Sequence, residues 1–205
     1  MIKRVVNLID ERLRALHGIT EFTNSQSCIF RMQVTTCEHG FLLADGTPIA
    51  TGSRIIVLHL WNEHVPPFPS AGPTLSWARH MSCALDNSLS ELERHLSARP
   101  DLDDILFIRA EMAFATTERR NQLLALAGKY GFEPVKPTKQ SLLRRFHRLG
   151  ENILLAMLVL ANNPASFRAD TLRRSCTSIF ASRASLRRRA DNPRKVVIAS
   201  NRRVV

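Results

Sequence analysis

The stretch Gly52 to Glu63, G-S-R-I-I-V-L-H-L-W-N-E, decides how the chain is read. Its β-branched and apolar residues predict a strand, and strand side chains alternate between two faces. Ile55, Val57, His59, Trp61 and Glu63 therefore share one face, while Ile56, Leu58, Leu60 and Asn62 share the other. A histidine carried into the interior of such a strand needs a hydrogen-bonding partner.

Upstream, Cys28 to Thr36 alternates cleanly, with Phe30, Met32 and Val34 on one face and Arg31, Gln33 and Thr35 on the other. Turn chemistry at Ala44-Asp45-Gly46-Thr47-Pro48 joins the short apolar pieces Phe41 to Leu43 and Ile49, and Gly52-Ser53 offers a second turn. Three antiparallel strands in succession are expected by residue 62. Before them, Val5, Leu8, Ile9, Leu13 and Leu16 fall on one stripe of an amphipathic helix that Gly18 ends.

Downstream, four prolines between Val65 and Pro73 exclude helix and central strand. The threes-and-fours spacing of Ala78, Met81, Leu85, Leu89, Leu92 and Leu96 predicts a helix from about Thr74 to Ala98, stopped by Pro100. A strand over Ile105 to Phe114, a helix over Glu118 to Lys129 and a short strand over Phe132 to Val135 follow. Leu142, Phe146, Leu149, Ile153, Met157 and Leu160 define a helix over Lys139 to Ala161, and Leu172, Ile179, Phe180 and Leu186 keep helical spacing beyond it. Strand, helix and strand in that order allow a crossover, but the earlier hairpins point to an α+β fold with a small, mostly antiparallel sheet packed against several helices. The expected organisation is a globular domain over 1–167, a basic helical extension over 168–191 and a disordered tail over 192–205.

The chain has 205 residues, is 44% hydrophobic and carries a formal charge of +11. Residues 168–205 hold 11 Lys and Arg against Asp170 and Asp191, so +9 sits there and only +2 remains for residues 1–167. A basic terminus is ordinarily a solvated tail, and its alternative use is attraction to nucleic acid or anionic membrane. Cys28, Cys37, Cys83 and Cys176 form no C-x-x-C pair, and Asp10, Glu11, Arg12 and Arg14 interrupt any early apolar run, which together predict reduced thiols in a cytoplasmic protein. The longest apolar run, Ile153 to Ala161, has nine residues, against ~20 for a bilayer span.

No glycine-rich phosphate loop, G-x-S-x-G elbow or H-E-x-x-H occurs, and no cofactor is expected. His59 and His64 lie five apart, which on a strand sends them to opposite faces, so no metal site is expected. The ligand-binding candidates are His59, Asn62, Glu63 and Arg109. His59 reads either as a core histidine or as a ligand contact, and Asn62 either as a turn residue or as a contact. Arg109 and Glu111 read either as a salt bridge at a sheet edge or as a polar floor shared with His59 and Glu63. Trp61, Phe68 and Trp77 either close the core or form an aromatic platform.

L-A-D-G-T-P-I-A-T-G-S-R-I-I-V-L-H-L-W-N-E at 43–63, S-L-S-E-L near residue 90, L-A-G-K-Y-G-F-E at 126–133 and S-R-A-S-L-R-R-R at 182–189 resemble the YkoP-like domain, over about residues 1–190. That bacterial domain occurs alone or appended to polysaccharide deacetylase catalytic domains, and the resemblance supplies no catalytic residues. The deacetylase pattern of paired aspartates and two histidines four apart is missing here. The resemblance implies a non-catalytic accessory or interaction domain linked to envelope polysaccharide or lipid metabolism, with a protein partner there. Two other readings stand beside it: a small hydrolase or transferase using His59 with Glu63 and Arg109, and a binder of anionic membrane or nucleic acid through residues 168–205.

Overall fold

The computed structural model describes residues 11–43, 46–61, 63–67, 69, 74–114, 124–135 and 175–191, with backbone only at 113, 114, 175, 176 and 189–191. In chain order these give a helix α1 over 11–17, then β1 (Ile19–Thr20), β2 (Phe30–Thr36), β3 (Phe41–Leu42), β4 (Pro48–Ile49), β5 (Arg54–Leu60) and α2 (Leu75–Ser97). A 3-10 turn (Pro100–Leu102), β6 (Phe107–Phe114), a helix α3 over 124–129, β7 (Glu133–Pro134), β8 (Ser175–Ser182) and α4 (Arg183–Asp191) complete them. The expected segments over 2–10, 115–123 and 139–161 and the tail over 192–205 lie outside the described residues.

The sheet corrects the expectation of a small, mostly antiparallel one. It is six-stranded and mixed, in the order β1-β2-β5-β6-β8-β7, and β5 runs parallel to β6. Parallel neighbours need a crossover, and the 23 residues of α2 provide it. β3 and β4 do not join this sheet but pair with each other. The reason is local: Cys37 N–H donates to the Ser53 carbonyl at 2.8 Å and Gly52 N–H to the Cys37 carbonyl at 2.7 Å, which extends the β2–β5 ladder past residues 38–51. Gly52 makes this re-entry with φ +85°, a backbone state that disfavours any side chain.

Ile179 and Phe180, which the spacing assigns to a helix, lie instead in β8, between β6 and β7. Ile179 and Ala181 enter the main core, and Phe180 enters a second core on the opposite face. A strand covered on both faces loses its alternation and reads ambiguously.

The main core unites Met32, Ile56, Leu58 and Ile108 from the sheet with Leu89, Leu92 and Leu96 of α2, Ala127 of α3 and Leu186 of α4. α2 begins where the Thr74 hydroxyl accepts the Trp77 N–H at 3.1 Å, and Arg94 and His95 occupy its last turn, where cations suit the helix dipole. On the other face the β3–β4 hairpin covers Ile55, Val57, Phe107 and Phe180, with Phe41 edge-on to Phe180 at 4.5 Å between ring centroids.

Two buried charges tie α4 to α2. Glu93 is 5% exposed and Arg183 is 4% exposed, with Arg183 Nε 3.9 Å from Glu93 Oε2. Arg183 also donates to the Leu102 carbonyl at 3.1 Å, while Ser97 Oγ and Arg187 Nε each donate to Glu93 Oε1 at 2.9 Å. Removing one member of a buried pair strands the other, so Glu93→Ala should lower the unfolding free energy in urea by about 3–5 kcal/mol. Arg187→Ala, at a side chain 53% exposed, should cost no more than about 1 kcal/mol. Arg183 also lies 3.4 Å from Asp103 Oδ1, so equal losses would show that this second carboxylate suffices for it.

Candidate functional site

Beyond the hairpin, the face of the sheet that carries Val57 turns polar. Alternation places Arg31 and Gln33 of β2, His59 of β5, and Arg109 and Glu111 of β6 on this side. Arg31 lies opposite His59 across the β2–β5 ladder. In the parallel pair Val57 is opposite Arg109 and Leu58 opposite Ala110, which sets His59 one step further on, beside Glu111. Both readings of Arg109 and Glu111 hold in part: they form an ion pair, on an inner strand flanked by β5 and β8 and not at a sheet edge, and they share this face with His59 but not with Glu63.

The protonation of His59 follows from its neighbours. Gln33 Nε2 donates to the His17 carbonyl at 2.8 Å, which turns the amide oxygen toward His59 at 3.0 Å. A carbonyl oxygen only accepts, so the imidazole proton sits on Nε2 and Nδ1 is left as the acceptor. Burial pushes the His59 pKa down to about 4; the positive Arg109 and then His17 add to the shift, and Glu111 opposes it. At neutral pH the ring is uncharged.

Arg109 Nε donates to Glu111 Oε1 at 3.0 Å, and Ser178 Oγ of β8 donates to the same oxygen at 2.7 Å. Glu63 does not join His59. It lies 3.6 Å from Arg31 Nη1, while Arg31 Nε donates to Glu21 Oε1 at 3.3 Å. Asn62 lies outside the described residues.

Of the three aromatic residues, the two that are described, Trp61 and Trp77, are each held in local contacts. Trp61 is buried, with the Arg31 guanidinium 4.5 Å from its ring centroid and His64 stacked at 3.7 Å, and His64 Nδ1 donates to the Cys28 carbonyl at 2.8 Å. Trp77 donates from Nε1 to the Pro66 carbonyl at 3.2 Å, and Phe68 lies outside the described residues. Among the described residues no three His, Cys, Asp or Glu side chains are grouped to hold a metal ion, and no helix is long and apolar enough to cross a membrane. Cys28, Cys37 and Cys83 are free thiols, and burial raises the Cys28 pKa.

In the basic stretch, Arg183 is buried, Arg187 binds Glu93, and Arg188 donates to Ser185 Oγ at 3.2 Å. These three arginines are engaged within α4 and its neighbours. Gln33 and Ser178 are site residues that the sequence alone does not bring forward. Gln33 stands on the polar side of an alternating strand, and only the β2–β5 register pairs it with His59. Ser178 offers no such cue, because its segment keeps helical spacing.

The His59 environment makes stability pH-dependent in one direction. Between pH ~6.5 and ~4 the unfolded chain takes up a proton at His59 that the folded chain refuses, so unfolding free energy falls as pH drops. Above that window the group adds no slope. Urea denaturation at a series of pH values should show the loss, at up to about 1.4 kcal/mol per pH unit, and His59→Gln should remove this part of it. Parallel pH profiles for the two proteins would contradict the assignment.

A family model for the YkoP domain matches residues 1–190. No curated protein and no solved structure matches the chain. With the match running from α1 through β8 and into α4, the whole sheet and its polar face fall within it, and the chain belongs to the YkoP domain family.

Proposed function

We propose that the chain is a non-catalytic accessory domain in envelope polysaccharide or lipid metabolism, and that its polar sheet face holds an uncharged, hydroxyl-rich partner such as a glycan chain. The observation that carries this reading is the internal neutralisation of the face. Arg109 is matched by Glu111, Arg31 by Glu21 and Glu63, and His59 is uncharged at neutral pH. Such a surface offers donors and acceptors without a net field, which suits hydroxyl groups better than phosphates. The resemblance to a domain appended to polysaccharide deacetylases supports the glycan assignment. Cytoplasmic placement accords with the free thiols Cys28, Cys37 and Cys83.

The geometry speaks against the hydrolase or transferase reading. A general base works best with a pKa near the working pH, and His59 is held near 4. The carboxylate that would orient it, Glu63, is bound to Arg31 instead.

Sedimentation with insoluble neutral glycans, chitin and cellulose, tests the proposal. The intact chain should be depleted from solution by at least one of them, and Arg109→Ala combined with Gln33→Ala should weaken retention by roughly tenfold or more, the scale of losing hydrogen bonds to a charged group. No depletion by either glycan, or release of acetate or reducing sugar that His59→Ala abolishes, would overturn it.

A further inference from the structure

The opposite face of the same sheet carries a second feature. A cavity of about 300 Å³ lies between α2, α3 and strands β5, β6 and β8. Leu58 and Ile179 contribute to its floor, Leu85 and Leu89 of α2 form one wall, and Ala127 and Tyr130 form the other. Glu111 is the one charged residue among the described residues that border it, and its carboxylate is turned to the polar face of the sheet, where Oε1 accepts from Arg109 and Ser178. It is half-open to solvent, and its apolar lining gives water few hydrogen-bonding partners. At ~30 Å³ for a water-sized unit it accommodates about ten.

Two large apolar side chains that line the cavity are left open to solvent: Leu60 is 45% exposed and Leu126 is 40% exposed. Leu60 stands at the end of β5 and Leu126 on α3, so a half-open rim sits on two separate elements. Tyr130, just after α3, brings a hydroxyl group to the lining, and its Oη is 3.2 Å from Ser82 Oγ of α2. No cation is among the described lining residues, so these offer a carboxylate or phosphate no counter-ion in exchange for its hydration.

We propose that this cavity is a binding site for a linear aliphatic chain of about ten carbons with an uncharged head, as in a fatty alcohol or an acyl ester. The chain enters past Leu60 and Leu126 and displaces poorly bonded water, and its head hydroxyl or ester reaches the Tyr130–Ser82 hydroxyls. Binding here does not rest on glycan binding at the other face, and the two can fail separately.

Titration of the full chain with 1-hexanol, 1-octanol and 1-decanol, followed by methyl NMR shifts of the lining leucines, tests the site. Affinity should rise about fourfold for each added methylene, the ratio set by burying one CH₂, and decanoate should bind at least tenfold more weakly than 1-decanol. Ala127→Leu fills the space from the helix wall and should abolish the shifts. Leu60→Asp, at a position 45% exposed, should weaken 1-decanol roughly tenfold or more. The proposal is overturned if the alcohols produce no saturable shifts, if affinity does not depend on chain length, or if Leu60→Asp binds 1-decanol as the parent chain does.

Discussion

The structure depends on β5 being hydrogen-bonded along both edges, antiparallel to β2 and parallel to β6. The parallel edge forces the chain to leave the sheet and return, which places α2 across one face. The antiparallel edge brings Arg31 and Gln33 alongside His59. Because strand side chains alternate without slack, the two registers together assign every residue of β5 to one environment. Ile56 and Leu58 go to the main core, Ile55 and Val57 to the space under the hairpin, and His59 to the polar ladder.

Charge is used in two distinct ways in the molecule. Glu93 and Arg183 are almost fully enclosed, so their attraction offsets a large desolvation cost and acts mainly to fix how α4 sits on α2. Gly131, in the turn after α3, packs closely on α4: its φ is +79°, which disfavours any side chain, and a Cβ placed on it would lie 3.0 Å from Ser185 Cβ, tighter than ordinary contact. On the sheet face, by contrast, Arg109 and Glu111 are 37% and 35% exposed, and pairs in that setting contribute little to stability. Their hydrogen bonds are therefore exchangeable, and a partner could take them over at low cost.

β2 and α2 are readable in the sequence because each carries a clean period, two for Phe30, Met32 and Val34 and threes and fours for Leu85, Leu89, Leu92 and Leu96, while β5 and β6 are readable from their β-branched and apolar runs. What stays hidden depends on long-range pairing. The parallel β5–β6 register is invisible in local pattern, which on its own suggests a smaller and mostly antiparallel sheet. β8 is hidden because its two faces feed two different cores and its sequence, S-C-T-S-I-F-A-S, lacks the β-branched run that marks β5. Of the site, His59, Arg109 and Glu111 are legible as polar residues on apolar strands, which is costly unless they are paired. Their grouping is not legible, and strand alternation alone groups Glu63 with His59, although β5 ends at Leu60 and Glu63 turns back toward Arg31.

These features make a domain with two unlike sheet faces: one apolar and bordering a cavity, the other apolar only under the β3–β4 hairpin and beyond it polar, self-neutralised and built around an uncharged imidazole. Nothing probes this arrangement more directly than ¹⁵N NMR of the His59 ring in the intact chain, which reports both the protonated nitrogen and the titration midpoint. A proton on Nε2 at neutral pH and a midpoint near 4 are expected. A proton on Nδ1, or a midpoint at or above the ordinary histidine value of about 6.5, would contradict the polar ladder described for β2, β5 and β6.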